Sequence, residues 1–250
     1  TFQTIFTKNF DRQDIRIIDI DDKSIKEIGQ FPWRRDKLAK IIDNLNKANP
    51  KVIAFDIFFS EPDRENPFKI LNELLINSEN VLNSDEEFLI SIERSKVVLP
   101  IVGLGKNLES EKNLNDNLKA KFIFKGKEAI NSLYKFSNGL TSLKTINDKA
   151  KGVGSISIID SEDGVLRYVP LLVGINNHVW PALSLEILRV ANNQKNFLIA
   201  SDELGIQTIK TRTDQFFTDE NALIYLKYKN FNQEHYISAV DILRDDFDEN

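Results

Sequence analysis

The stretch Val52-Ile53-Ala54-Phe55-Asp56-Ile57-Phe58-Phe59 is apolar at every position but one. A strand covered on both faces reads this way, because neither face needs polar residues, and such strands belong to parallel sheets. Upstream, Leu38, Ile41, Ile42, Leu45 and Ala48 recur at helical spacing, and Asn49-Pro50 closes the run. Before that helix stands Ile15-Arg16-Ile17-Ile18-Asp19-Ile20, short and β-branched, which reads as a first strand. Ser24 and Glu27 fit a capping box for a short intervening helix, and Gly29 fits its stop. Strand, helix, strand predicts a right-handed parallel crossover.

Downstream, Ser60-Glu61-Pro62-Asp63 leaves the strand. Helical spacing follows around Leu71, Leu74 and Leu75 and again at Phe88, Leu89 and Ile92. Val97 to Val102 is a third buried strand. Residues 105–147 are rich in Lys, Asn and Ser and are expected as a surface excursion, with a short strand at Lys121–Phe124 and a helix near Ala129–Tyr134. Asp163-Gly164 predicts a hairpin between Gly154–Ile159 and Val165–Val169. Pro181 opens a helix, strands fall near Gly205–Lys210 and Leu223–Tyr228, and a last helix begins near Ser238. The expected fold class is α/β: a single domain with a largely parallel central sheet flanked by helices and a β-rich C-terminal part.

Composition narrows the function. The 250 residues carry 33 basic and 38 acidic side chains, net −5, and 41% are apolar. Such a chain folds around a core of ordinary size. Its mild acidity, with both signs interspersed, speaks against nucleic acid, which needs clustered Lys and Arg. The absence of Cys excludes disulfides, thiol catalysis and thiolate metal sites. No apolar run nears the ~18 residues of a spanning helix, and no charged-then-apolar leader opens the chain. Starting at Thr1, the chain is expected to be an excised piece, with any targeting element outside it.

Asp19 and Asp56 carry the chemistry. Each interrupts an apolar strand, and a buried carboxylate must be paired, hydrogen-bonded or protonated. The two strands are expected side by side, with both carboxylates toward the ends where open α/β sheets bind ligands. Asp21, Asp22, Glu61 and Asp63 would add acid to the same rim. Two readings stay open there. In one, Asp19 and Asp56 pair with Arg34 or Arg35 and hold down the Pro32-Trp33 loop. In the other, the rim is a ligand or hard-metal site. The candidate ligand residues are Asp19, Asp21, Trp33, Arg34, Asp56 and Glu61; no cofactor is required, and a divalent cation is allowed.

Asp19-Ile20-Asp21 after a strand also resembles the nucleophile motif of haloacid-dehalogenase-type phosphatases. That likeness would make Asp19 the nucleophile of a Mg²⁺-dependent phosphohydrolase. Gly103-Leu104-Gly105 lacks the third Gly of a dinucleotide loop. His178 and His235 fall in no metal-ligand spacing, and no G-x-S-x-G elbow is present. Trp33 and Trp180 each adjoin a Pro and read as core anchors.

Taken in order, these blocks resemble one family, the second type of the cyclase- and histidine-kinase-associated sensory extracellular domain, CHASE type two. Its opening pattern I-D-I-D-D-x-S, then G, then W-P-W-x-R is similar to Ile18 to Ser24, Gly29, and Phe31-Pro32-Trp33-Arg34-Arg35, with Phe31 for the first Trp. Its second block, V-I-g-f-D-i-x-F-x-E-P-D, is similar to Val52 to Asp63. Its D-x-x-L helix, V-V-L-P strand, D-G-x-x-R hairpin and P-a-L-s-L helix look like Asp85 to Ile92, Val97 to Pro100, Asp163 to Arg167 and Pro181 to Leu185.

The likeness covers residues 14–243, with 105–147 as a variable insertion and 1–13 and 244–250 as membrane-proximal ends. It implies the extracytoplasmic, non-catalytic sensor of a bacterial transmembrane receptor. Flanking membrane helices would carry a small-molecule or ionic signal to a cytoplasmic nucleotide cyclase or kinase. It also implies a homodimer, and the charge balance already speaks against nucleic-acid partners.

Overall fold

The computed structural model describes residues 15–77, 81–105, 114–127, 130–159, 163–228 and 232–244. Among them the chain forms β1 (Ile17–Asp19), α1 (Asp22–Ile28), α2 (Arg35–Lys47), β2 (Ile53–Ala54), α3 (Pro67–Glu73), α4 (Ser84–Arg94) and β3 (Val97–Leu104). Next come β4 (Lys121–Gly126), β5 (Lys135–Phe136), β6 (Asn138–Thr141), α5 (Lys144–Lys149), β7 (Gly152–Ser155), β8 (Tyr168–Pro170), β9 (Leu172–Ile175) and β10 (His178–Pro181). The chain closes with α6 (Leu183–Ala191), β11 (Asn196–Ser201), β12 (Ile206–Lys210), β13 (Gln215–Phe217), β14 (Leu223–Tyr225), β15 (Tyr236–Ser238) and α7 (Ala239–Leu243). Where one domain is expected, the chain divides into two compact units.

The first unit comprises Thr1–Pro50, Asp63–Ser91 and Lys227–Asn250. Here β1 pairs in parallel with β15, Ile17 opposite Tyr236 and Asp19 opposite Ser238. The apolar stripe of α2 buries Leu38, Ile41 and Ile42 as its spacing predicts. Gly29 stops α1 at a φ of 110°, a conformation open to a residue without Cβ, and its N–H closes on the Ile25 carbonyl. The first strand is therefore not paired with β2. Its sheet neighbour lies 219 residues away in sequence, and nothing local in the sequence announces it.

The second unit comprises Lys51–Pro62 and Ile92–Leu226. The long apolar run that promised a strand contributes only Ile53–Ala54, paired in parallel with β3. The rest of the run packs as irregular chain, with Phe59 fully buried and edge-on to Phe55 at 5.4 Å. Apolarity reported burial here, and burial does not require a ladder. Strand β3 is central: besides β2 it takes β7 in parallel and β6 antiparallel. A second four-stranded sheet has the order β13-β12-β11-β4, and β10-β9-β5 and β14-β8 complete the set. The sheets are thus mixed and separate, in place of one largely parallel sheet.

The described parts of the Lys- and Asn-rich segment, 114–127 and 130–147, belong to this architecture instead of forming a surface excursion. Strand β4 lies parallel to β11 in register from Lys121–Asn196 to Gly126–Ser201, and Leu114, Ala120 and Leu133 are buried in the unit's core. The expected helix near Ala129–Tyr134 is a single 3₁₀ turn, Ile130–Ser132. The expected Asp163-Gly164 hairpin does not form: β7 pairs with β3 and β8 with β14. Part of that connection, 160–162, lies outside the described residues. Asp163 instead holds the Arg167 guanidinium at 2.6 and 2.9 Å. Pro181 ends β10, and α6 starts two residues later.

Candidate functional site

In the first unit, the acidic turn after β1 is tied to the last described helix. Asp21, in extended conformation, caps α1: its carboxylate accepts the Ser24 N–H at 2.8 Å and the Ser238 hydroxyl at 2.7 Å. The Ser24 and Ser238 hydroxyls hold this carboxyl below its usual range. Asp21 thereby replaces Ser24 as the expected cap, and Ser24 is freed for another task. Fully buried, its Oγ lies 2.9 Å from Ser238 Oγ and accepts the Val240 N–H at 3.0 Å. Lys23 pairs with Asp241 at 2.6 Å, and the buried Asn44 amide donates to the Ile242 carbonyl at 2.6 Å. Asp19 itself is exposed at the end of β1.

Trp33 is an anchor: it is buried, donates Nε1–H to the Gly29 carbonyl at 2.8 Å, and meets Phe31 edge-on at 5.8 Å. Arg34 makes a two-pronged pair with Asp36, 2.6 Å on each arm, which raises the guanidinium pKa and lowers that of the carboxyl. The partner expected for Arg34, Asp19 or Asp56, is thus not the one found. A carboxylate two residues on, at the first turn of α2, is reached without ordering a longer loop.

Asp63 and Asp85, from two of the family-like blocks, join in one polar knot. Asp63 accepts the Arg35 N–H at 2.8 Å, the Ser84 hydroxyl at 2.5 Å and the Glu65 N–H at 3.0 Å. Its own N–H donates to Asp85 at 3.1 Å. Asp85 also accepts the Asn66 amide at 3.1 Å and the Lys69 ammonium. Burial pushes the Asp85 carboxyl up, but Lys69, the Asp63 N–H and Asn66 together bring it below the usual carboxylate range. Arg35 lies over the Phe88 ring at 5.7 Å, and burial lowers its pKa.

Asp56 and Glu61 belong to the second unit, where both are exposed. Asp56 follows β2 in irregular chain, so neither it nor Asp19 is the buried in-strand carboxylate that the sequence suggested. Of the six candidate residues, four lie in the first unit and two in the second. The two strands meant to carry Asp19 and Asp56 together sit in different sheets. Among the described residues, no group of three or more His, Asp or Glu side chains is placed to hold a metal ion. Asp21, the second carboxylate of the Asp19-Ile20-Asp21 motif, is engaged by two serines as a helix cap.

Sequence reasoning missed two features of the second unit. One is a buried ion pair: Glu186 is fully buried and receives Arg189 on both oxygens, at 2.6 and 2.7 Å. Arg189 further donates to the carbonyls of Gln194 and Lys151 at 2.7 and 2.9 Å. Burial raises the Glu186 carboxyl despite this partner. Opposite charges three residues apart inside an apolar helix were the available signal.

The other feature is a depression of about 320 Å³ lined by Ile130, Asn131, Lys135, Phe136, Gly174 and Asn177. Strand β5 brings Lys135 and Phe136 into parallel register with Gly174 and Ile175. The β9–β10 turn presents Asn176 and Asn177, both left-handed at φ 48° and 61°, as a two-residue hairpin turn requires. Phe136 occupies the space a Cβ on Gly103 would fill, since that atom would lie 2.2 Å from the ring. The Asn176-Asn177 pair between two apolar runs was legible as a turn; that it edges a cavity was not.

Neither a curated relative nor a solved structure matches the chain. The family model of the CHASE2 domain matches residues 1–250, the whole chain. The chain therefore belongs to the CHASE2 domain family of extracytoplasmic sensory domains.

Proposed function

We infer that this chain is the ligand-sensing domain of a bacterial transmembrane signalling receptor. It passes a conformational change through flanking membrane helices to a cytoplasmic nucleotide cyclase or kinase, and it works as a homodimer. The observation that carries the reading, beside family membership, is the junction of the first and last described elements. The segment 17–24 and the segment 236–243 are bound by a parallel strand pair, two serines, a capping carboxylate and an ion pair. Anything that alters this junction moves both segments together, which is what a domain read out through its two ends requires. The signal acts by population shift: a ligand moves the equilibrium only by its differential affinity for two arrangements.

The test uses the parent receptor in cells. The chain has no Cys, so a Leu204→Cys variant, at an exposed position, carries one thiol in this domain. A membrane-impermeant maleimide should label it in intact cells. In the same receptor, Ser24→Ala should change the basal output of the cyclase or kinase. Labelling only after lysis, or output indifferent to Ser24→Ala in a protein that still folds, overturns the receptor reading.

A further inference from the structure

The depression of the second unit has a chemical character that the acidic rim lacks. Its one charged side chain is Lys135, whose ammonium donates to the Asn131 amide oxygen at 2.7 Å. Lys135 forms no ion pair with any described residue. Asn131, whose oxygen accepts from Lys135, and Asn177 each bring a side-chain amide to the lining. Ile130 and the Phe136 ring supply the apolar part of the lining. Gly174 keeps the floor open: a Cβ there would already lie 3.3 Å from Lys135 Cγ. Phe136 is seated over Gly103, and Lys135 lies on a strand paired to β9, so cation and ring are carried by sheet. At about 320 Å³ the space is at the small end of the ~300–1,000 Å³ typical of ligand sites.

We propose that this depression binds a small organic anion, its carboxylate set against Lys135 and the two asparagine amides and its apolar body against Ile130 and Phe136. An ammonium without a carboxylate partner among the described residues, next to amide donors, favours a carboxylate by charge-assisted hydrogen bonds. The adjoining ring and aliphatic side chain favour a body with an apolar face. This inference rests on the sensor reading for its biological meaning and on the lining residues alone for its chemistry.

The test is calorimetric titration of the 250-residue chain with benzoate, with benzamide as its uncharged counterpart, and with inorganic phosphate. Benzoate should bind, benzamide at least tenfold more weakly, and Lys135→Gln should weaken benzoate by at least tenfold with an unchanged circular-dichroism spectrum. Phe136→Leu should weaken benzoate while leaving its discrimination against benzamide in place. Failure of benzoate to bind, equal binding by Lys135→Gln, or phosphate binding as tightly as benzoate would overturn the proposal. These outcomes are separable from the receptor test. If benzoate binds while maleimide reaches Leu204→Cys only after lysis, the pocket stands and the receptor reading falls; the reverse pattern removes the pocket alone.

Discussion

Replacing Ser24 by Ala removes one oxygen from a fully buried position and leaves the backbone of α1 untouched. Three contacts go with it: the 2.9 Å contact to Ser238 Oγ, the 3.0 Å bond accepted from the Val240 N–H, and the support its hydroxyl gives the Asp21 carboxylate. Ser238 keeps Asp21 as acceptor at 2.7 Å, so its hydroxyl stays satisfied. The Val240 amide does not; it sits at the start of α7, where helical N–H groups have no intrahelical partner. Losing a neutral hydrogen bond costs about 1 kcal/mol, and a buried donor left without an acceptor about 1–3 kcal/mol, so the junction should weaken by about 2–4 kcal/mol. Amide hydrogen exchange reads this locally. Protection at Val240 should fall roughly 30- to 700-fold, since each 1.4 kcal/mol is a factor of ten. Amides of β11 and β12, in the second unit, should keep theirs. An unchanged Val240 rate would refute the reasoning, as would an equal loss across both units, because the first denies the bond and the second denies its locality.

Three further outcomes follow from the same geometry. Asp63→Ala removes the acceptor of three donors and should lower the stability of the first unit by about 2–4 kcal/mol, read by proteolysis of residues 63–91, with Asp63→Asn retaining part of it. Because the folded Asp85 carboxyl lies below the ordinary value of 3.8, its contribution is fully present above that value and is lost as pH falls through the depressed one; Lys69→Met should flatten this acid limb in a pH series of thermal melts. Glu186→Gln should destabilise the second unit by about 3–5 kcal/mol by leaving Arg189 buried without its counter-charge, whereas the double change Glu186→Leu with Arg189→Met should melt close to the wild type.

Local periodicity was legible and long-range pairing was not. The stripe Leu38 to Ala48 gave α2 because helical spacing is a property of consecutive residues, and Gly29 gave the stop of α1 for the same reason. The strand partner of Ile17–Asp19 could not be read, since β15 has no mark in its three residues that distinguishes it from any other short strand. The run Val52–Phe59 misled because apolarity records burial, and a buried irregular segment with Phe55 against Phe59 satisfies it as well as a sheet does. Arg34 and Arg35 show how finely side-chain fate divides. Adjacent in sequence, one reaches a half-buried Asp36, and the other is buried over Phe88. The family likeness survived these misreadings because it rests on residue identities in order, not on a topology inferred from them.

The residues that carry that likeness bear on where a signal is read. Asp21, Ser24, Asp63 and Asp85 hold backbone amides, serines and a lysine of their own unit. A ligand competing for the Asp63 oxygens would have to displace two main-chain N–H groups and the Ser84 hydroxyl, and would bind weaker by the cost of leaving those donors unmet. Binding there could signal only by opening the knot, a steep requirement for a small ligand. The depression makes no such demand: Lys135 is held by one exposed amide oxygen, and a carboxylate could join that contact without breaking a buried bond. Scaffold identity and ligand recognition would then reside in different parts of the chain. The family motifs would fix the junction of the two end segments, and residues 130–136, which line the depression, would set what is sensed under the proposal above. Exchanging residues 130–136 for those of another family member should therefore change ligand preference in the calorimetric panel while leaving Val240 exchange protection unaltered; a loss of that protection would show that the two tasks are not separable.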